Sequence, residues 1–323
     1  MVGFQEILSI IRQRIEEIPY PEQPHRLYRP IAYLLALKGK KIRPALTLLA
    51  CNLFKEDINE AVDMALAWEI FHNFTLMHDD VMDKADIRRG QPTVHKKWDE
   101  NTAILSGDSM LILSYKYLAK SPGHHLPELL DLFSTTAAEI CEGQEYDMQF
   151  ENRLDVTEAE YLNMIRLKTA VMLGACLKSG AILGDADVKD RNLLYDFGLN
   201  LGIAFQIQDD ILDVYGDPAV FGKKIGGDIL CNKKTYLLVT ALNTENRQEK
   251  DELLRWLKTS TPEEKKIEAV TLLYNKLSVK EKARDKMEDY YQKAIESLNG
   301  VNVPDEKKAV LKNLAEELMN RKS

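Results

Sequence analysis

The sequence predicts an all-α protein, a bundle of long helices. Three observations carry this. Apolar residues recur at the helical spacing of about 3.6 residues through almost every segment. Alternating strand patterns are nearly absent. Periodic runs such as 58–84 and 187–215 are far longer than a strand.

The first element is N-terminal. MVGFQEILSIIRQRIEEI mixes charge among its apolar residues at helical spacing. That is an amphipathic helix (3–18), not a signal peptide. Breaks rich in Gly, Pro or charge fall at 19–24, 38–41, 121–127, 215–227 and 299–305. Between the breaks, helices are expected at 25–37, 42–54, 58–84, 99–120, 126–151, 157–183, 187–215, 232–243, 247–258, 261–297 and 304–320. The runs 58–84, 126–151, 157–183 and 187–215 carry little charge on their apolar faces and form the expected centre. Thr169 to Gly184 is the most apolar stretch, but Lys178 interrupts it and it is too short to span a bilayer. It reads as a buried helix, without stable membrane insertion. No linker marks a second domain. The expectation is one domain, 1–323, with the Lys- and Glu-rich tail 244–323 as a peripheral helical cap.

Composition narrows the function. The chain has 323 residues, 45% apolar and 29% charged, as in a soluble globular protein. A net charge of −8 argues against general nucleic-acid binding. An anionic substrate would need a local basic patch. The cysteines at 51, 141, 176 and 231 form no CxxC pair. That argues against a zinc ribbon or a disulfide framework and suits a reducing, cytoplasmic location.

Two acidic clusters carry the chemistry. Asp79-Asp80-Val81-Met82-Asp83 and Asp209-Asp210-Ile211-Leu212-Asp213 share one spacing, and each ends a strongly apolar helical run. Helix spacing puts the first and last Asp of each on one face. A lone DDxxD more often marks a solvated helix end. Two copies with the same flanks suggest facing helices with cations between them. Oxygen ligands without Cys or His favour Mg²⁺, which commonly bridges to phosphate oxygens. Arg88-Arg89 comes after the first cluster at a turn, where each guanidinium can fork onto a phosphate. Lys40, Lys41 and Arg43 sit in a Gly-containing loop entering a helix, a plausible anion nest. His72, upstream of the first cluster, can donate to a phosphate. Lys168, leading into an apolar run, either snorkels or pairs with a buried anion. Lys223 and Lys224 lie on a Gly-rich loop that could close as a lid. Lys233 and Lys234 start the next helix, and at least one of them reads as ordinary surface lysine. Glu69 and His72 spell a di-iron ExxH, but the other copy, Glu22 and His25, is broken by prolines. His78-Asp79 lacks the further histidines of a metal phosphohydrolase.

These motifs resemble the trans-prenyltransferase family of head-to-tail isoprenyl diphosphate synthases. KGKKIRP (38–44) resembles its GGKxxRP. EIFHNFTLMHDDVMDKADIRRGQPTVH (69–95) resembles its first Asp-rich region. LKT (167–169) resembles its mid-chain Lys-Thr. FQIQDDILDVYGD (205–217), with GKKIGGD and NKKT downstream, resembles its second Asp-rich region. The resemblance implies an isoprenoid-synthase-type bundle around a deep central cavity, and a homodimer. It implies several Mg²⁺ ions on Asp79, Asp83 and Asp209, with Asp80, Asp210 and Asp213 close behind. It implies that Arg88, Lys168, Lys223 and Lys233 hold an allylic diphosphate, and that Lys40, Arg43, His72 and Arg89 hold isopentenyl diphosphate. Thr169 and Gln206 would point dipoles at the reacting carbons. Two departures stand out: Lys38 replaces the first Gly of GGK, and Cys231-Asn232 replaces an acidic-Gly pair.

Helix geometry adds a constraint on product length. A chain growing from Asp79 toward the helix N-terminus passes Thr75 after one turn, Phe74 at about 7.5 Å and Phe71 at about 12 Å. An aromatic at Phe74 with the small Thr75 beside it resembles the geranylgeranyl type. The expected product has twenty carbons, with the fifteen-carbon farnesyl product as the alternative. Two other readings remain open, a class I terpene cyclase and a non-catalytic regulatory subunit. Consumption of isopentenyl diphosphate excludes the first, and activity of the purified homomer excludes the second.

Overall fold

The computed structural model describes residues 2–217, 225–259 and 262–320. Among them the fold is all-α, with one two-stranded ribbon as the only sheet. The chain divides into two compact units. The first comprises Met1–Phe133, Ala175–Leu194 and Asn302–Lys307; the second comprises Ser134–Gly174, Tyr195–Val301 and Lys308–Ser323.

In the first unit, α1 (Phe4–Glu16), α2 (His25–Ala36) and α3 (Ile42–Phe54) precede the long α4 (Asn59–Met82). Buried residues run along α4 from Ala61 to Asp80, so it is the central helix of this unit. It packs on α3 and on α6 (Glu100–Leu118). The approach of α6 needs Gly107: a Cβ there would lie 2.2 Å from His78 Nε2. Trp68, Phe71 and Phe133 form an aromatic core around α4. Trp68 keeps its indole N–H satisfied by donating to Ser179 Oγ at 3.0 Å.

In the second unit, Phe150 on α7 (Leu126–Glu151), Tyr161 on α8 (Glu158–Ile165) and Ile207 and Ile211 on α10 (Val188–Tyr215) join one buried cluster. Tyr236, Leu253, Leu273 and Tyr274 belong to it too, so residues after 244 contribute core side chains. Thr157 and Glu160 start α8 with a reciprocal capping box.

Helix boundaries agree with expectation to within a few residues, with four differences. The run 157–183 is not one α-helix: a π turn, Arg166–Ala170, separates α8 from α9 (Val171–Leu183). Beyond α13 (Arg247–Lys258), the run 261–297 breaks between α14 (Glu263–Lys276) and α15 (Val279–Gly300), where Ser278 adopts φ 52°. The region expected as helix 232–243 is α11 (Gly227–Cys231), a left-handed Asn232, then α12 (Tyr236–Leu242). Thr235 caps α12 by accepting from Leu238 N–H. The fourth difference is β1 (Ile87–Arg88) and β2 (Gln91–Pro92), with a short α5 (Val94–Lys97) after them.

Candidate functional site

The functional side chains form one group in each unit. In the first unit, α4 ends at the first acidic cluster. Asp79 lies within the last turn of α4, and Asp83 is its C-cap, whose N–H bonds Asp79 O at 2.8 Å. The two carboxylates therefore sit one turn apart on one face. Asp80 points elsewhere and is 2% exposed. Arg88 Nε donates to both Asp80 oxygens at 2.8 Å, and its Nη2 reaches Oδ1 at 2.7 Å. The same guanidinium stands 3.9 Å from Asp79. Asp80 thus fixes Arg88 beside the cluster.

The arginine pair is split by its turn. Arg89 and Gly90 have φ 52° and 75°, both positive, and Arg88 pairs with Gln91 across the ribbon. This is the backbone of a two-residue primed hairpin. It sends Arg88 to Asp80 and lays the Arg89 guanidinium on Gly39, where a Cβ would lie 2.9 Å from Cζ. Adjacent arginines therefore serve two different places.

The second place is cationic. Arg43 Nη1 donates to His72 Nε2 at 3.2 Å. Burial and then Arg43, Arg89, Arg88 and Lys41 hold the His72 imidazolium pKa well below its usual value. The ring is neutral near pH 7, with Nε2 accepting and its remaining proton on Nδ1. Burial lowers Arg43 and Arg89 as well, but an arginine keeps its charge. Lys40 is exposed, whereas Lys41 turns inward. Lys41 has φ 50°, and its Nζ bonds Glu69 Oε1 at 2.8 Å and Leu35 O at 3.2 Å. Glu69 is 2% exposed and also accepts from Asn73. The residues alone did not distinguish Lys40 from Lys41; the resemblance assigned only Lys40 to a diphosphate, and nothing in the sequence pointed Lys41 to its buried partner Glu69.

Below the cluster, Phe74 is half-buried, and its ring lies 5.5 Å from Phe71 and 4.8 Å from His78. Phe71 is fully buried against Trp68 and Phe133. Thr75 turns its hydroxyl back to His72 O at 2.8 Å.

In the second unit, the π turn carries Lys168 and Thr169. Lys168 Nζ pairs with Asp147 at 2.5 Å. Gly143 lets α7 approach this turn, since a Cβ there would lie 2.3 Å from Lys168 N. Thr169 Oγ1 donates to Gln206 Oε1 at 3.4 Å, and Gln206 Nε2 donates to Asp210 at 3.3 Å. Asp210 is buried and accepts from the Tyr161 hydroxyl and from Tyr236 N–H. Burial pushes its carboxyl up to about 7, against the two hydrogen bonds. Asp209 is half-buried. Asp213 accepts from Asp228 N–H at 3.0 Å and so caps α11. Of the lysine pair, Lys234 is buried and donates to Glu151 O, while Lys233 is exposed. Lys223 and Lys224 lie outside the described residues.

Asp147, Tyr161 and Tyr236 were not singled out from the sequence, and Glu69 entered only as half of a di-iron ExxH, not as the partner of Lys41. Asp147 carried little signal, since it is one of several acidic residues (Glu142, Glu145, Glu151) on the same polar stretch.

Residues 24–274 match the polyprenyl synthetase family. A geranylgeranyl diphosphate synthase of Sulfolobus acidocaldarius is 36% identical over 99% of this chain and 98% of its own length. A geranylfarnesyl diphosphate synthase of Natronomonas pharaonis is 38% identical over 72% of this chain and 74% of its own. A crystal structure of a geranylgeranyl pyrophosphate synthase superposes with a TM-score of 0.95 at 42% identity, covering 100% of both chains. This chain belongs to the polyprenyl synthetase family, and it is a short-chain prenyltransferase with the all-α isoprenoid synthase fold.

Proposed function

We propose that this chain joins isopentenyl diphosphate head to tail to an allylic diphosphate, with twenty carbons as the main product. The observation that carries this is the division of labour at the arginine pair. Arg88 is tied to the acidic cluster, while Arg89, Arg43 and neutral His72 build a separate cationic patch around Gly39. Such a pair of environments suits two diphosphates with different tasks.

The donor set fits a hard divalent ion. Asp80 is committed to Arg88, and Asp210 to Tyr161 and Tyr236. Asp79, Asp83 and Asp209 are then the proposed ligands of several Mg²⁺ ions. Bound Mg²⁺ supplies neutralisation of the diphosphate charge that builds as the allylic C–O bond breaks. Arg88, Lys168 and exposed Lys233 hold the same leaving group, with Lys223 completing the set. Lys40, Arg43, Arg89 and the Nδ1–H of His72 hold isopentenyl diphosphate. The Thr169 hydroxyl and Gln206 amide turn dipoles toward the reacting carbons. The allylic C1–O bond breaks and diphosphate leaves; the terminal alkene carbon of isopentenyl diphosphate bonds to that C1, and the C2 proton of the isopentenyl unit passes to the departed diphosphate as the C2–C3 double bond forms. Dry, apolar helix faces keep water from the allylic cation.

Phe74, half-buried above a packed Phe71, is the proposed floor for the growing tail. The whole chain, 1–323, acts as one catalytic domain, with 244–323 as its cap. A homodimer is supported by α6, where Leu105 and Ile112 are each 60% exposed and two turns apart. No described helix is long and apolar enough to cross a membrane. A cytoplasmic location is supported by the four free cysteines.

Purified protein with Mg²⁺, isopentenyl diphosphate and each short allylic starter tests the reading, with products sized by chromatography. Geranylgeranyl diphosphate supports it. A farnesyl or geranylfarnesyl product corrects the floor, and a cyclic product without consumption of isopentenyl diphosphate overturns the reaction.

A further inference from the structure

We propose a transition-metal site at His124, His125 and Asp185, in the first unit. It takes one Zn²⁺, Ni²⁺ or Co²⁺ ion and does not depend on the proposed reaction. Each of the three residues offers one ligand atom, and these atoms lie within 4.8 Å of one another.

The chemistry differs from that of the acidic clusters. Two imidazoles and one carboxylate suit borderline ions, whereas Mg²⁺ prefers oxygen alone. Three protein ligands leave coordination positions for water. Zinc bonds of about 2.0–2.2 Å place ligand atoms about 3.5 Å apart, so the hydrogen-bonded His125–Asp185 pair at 2.9 Å opens slightly around an ion while the other spacings, all within 4.8 Å, need only small adjustment.

The framework is already rigid. Asp185 has φ 59° at the end of α9, and the next residue's N–H, that of Ala186, bonds Ala181 O at 3.0 Å. That is a left-handed helix end whose direction the backbone fixes. His125 is buried, and its Nε2 lies 2.9 Å from Asp185 Oδ1. His125 N–H bonds Pro122 O at 3.0 Å, which ties down the turn before α7. The His124 ring stands 4.0 Å from the His125 ring and faces solvent. An ion can therefore enter from the His124 side.

One group opposes the ion. Lys55 Nζ pairs with Asp185 Oδ2 at 2.5 Å. The same ammonium lies 3.3 Å from Glu60. Metal binding would release Lys55 onto Glu60, so Lys55 acts as a competitor for the carboxylate. Cys51 is nearby electrostatically, but burial pushes its thiol up to about 12, so it is no thiolate ligand.

The test is calorimetric titration of Zn²⁺ into the full chain with excess Mg²⁺ present to occupy hard sites. A parallel Co²⁺ titration is read by visible absorption. The proposal expects one ion per chain, with affinity falling at least about tenfold in His124→Ala and in Asp185→Asn. It also expects tighter binding in Lys55→Ala, since the competing charge is gone. The Co²⁺ band should weaken in His124→Ala, whose exposed site leaves folding intact by thermal melting. No Zn²⁺ uptake, or equal uptake by wild type and His124→Ala, overturns the proposal. So does unchanged or weaker binding in Lys55→Ala.

Discussion

Replacing Phe74 with alanine should lengthen the product by one isoprene unit and then stop. Phe74 and Phe71 are three residues apart on α4, a drop of about 4.5 Å along the axis. That is about the reach of one five-carbon unit. Their rings lie 5.5 Å apart, and Phe71 is locked between Trp68 and Phe133. Removing the upper ring therefore opens one step and exposes a second floor. The stability cost is modest, because Phe74 is half-buried and loses two ring pairs, to Phe71 and His78, worth about 0.5–1.5 kcal/mol each. Phe71→Ala is a poorer probe, since emptying a buried aromatic site costs about 3–5 kcal/mol. The assay is mass spectrometry of dephosphorylated products at fixed isopentenyl diphosphate. A main product of twenty-five carbons in Phe74→Ala, from twenty in the wild type, meets the prediction. An unchanged product distribution refutes the argument from ring positions.

The same geometry sets other outcomes. Lys41→Met leaves Glu69 buried without its cation and should cost about 3–5 kcal/mol in denaturant unfolding; adding Glu69→Leu should recover most of it. If the double variant is no more stable than Lys41→Met, the buried pair is not the cause. Asp80→Asn loosens Arg88 and should lower kcat by on the order of tenfold or more while leaving KM for isopentenyl diphosphate nearly unchanged. His72 has a depressed pKa, so the unfolded chain takes up a proton that the folded ring refuses. Its contribution to stability is present above the unfolded value and is lost as pH falls below it. Melting curves should drop as pH falls below about 6.5, and less steeply in His72→Gln. Asp210 works in the opposite sense to an ordinary carboxylate: its raised pKa makes the folded state hold a proton that the unfolded chain releases. Its burial costs stability as pH rises from about 4 through about 7, so Asp210→Asn should flatten that slope.

Much of this arrangement was legible in the sequence because it rests on periodicity. The apolar spacing of 58–84 and 187–215 requires long buried helices, and α4 and α10 lie there. The DDxxD spacing requires the first and last carboxylates to share a face, as Asp79 and Asp83 do. Other features depend on tertiary contact, which a pattern does not encode. Nothing in RLKTA announces a π turn; the close approach of Gly143 to Lys168 is a packing fact. Ser278 breaks a helix without Gly or Pro nearby, so no punctuation marked it. Lysine pairs were the hardest to separate. Lys40 and Lys41, or Lys233 and Lys234, are chemically alike; the resemblance picked Lys40 and Lys233 for diphosphate, but only burial shows what Lys41 and Lys234 do, pairing with Glu69 and with Glu151 O. The adjacent arginines posed the same problem, and the positive φ of Arg89 resolves it by turning the two side chains apart.

The most direct test is a crystal of this chain soaked with Mn²⁺ and a non-reactive allylic diphosphate analogue, with ions located by anomalous scattering. The account predicts ions held by Asp79, Asp83 and Asp209 and shared with the analogue's oxygens, with Asp80 still gripping Arg88. Anomalous peaks away from all three carboxylates, with the analogue bound elsewhere, would contradict it.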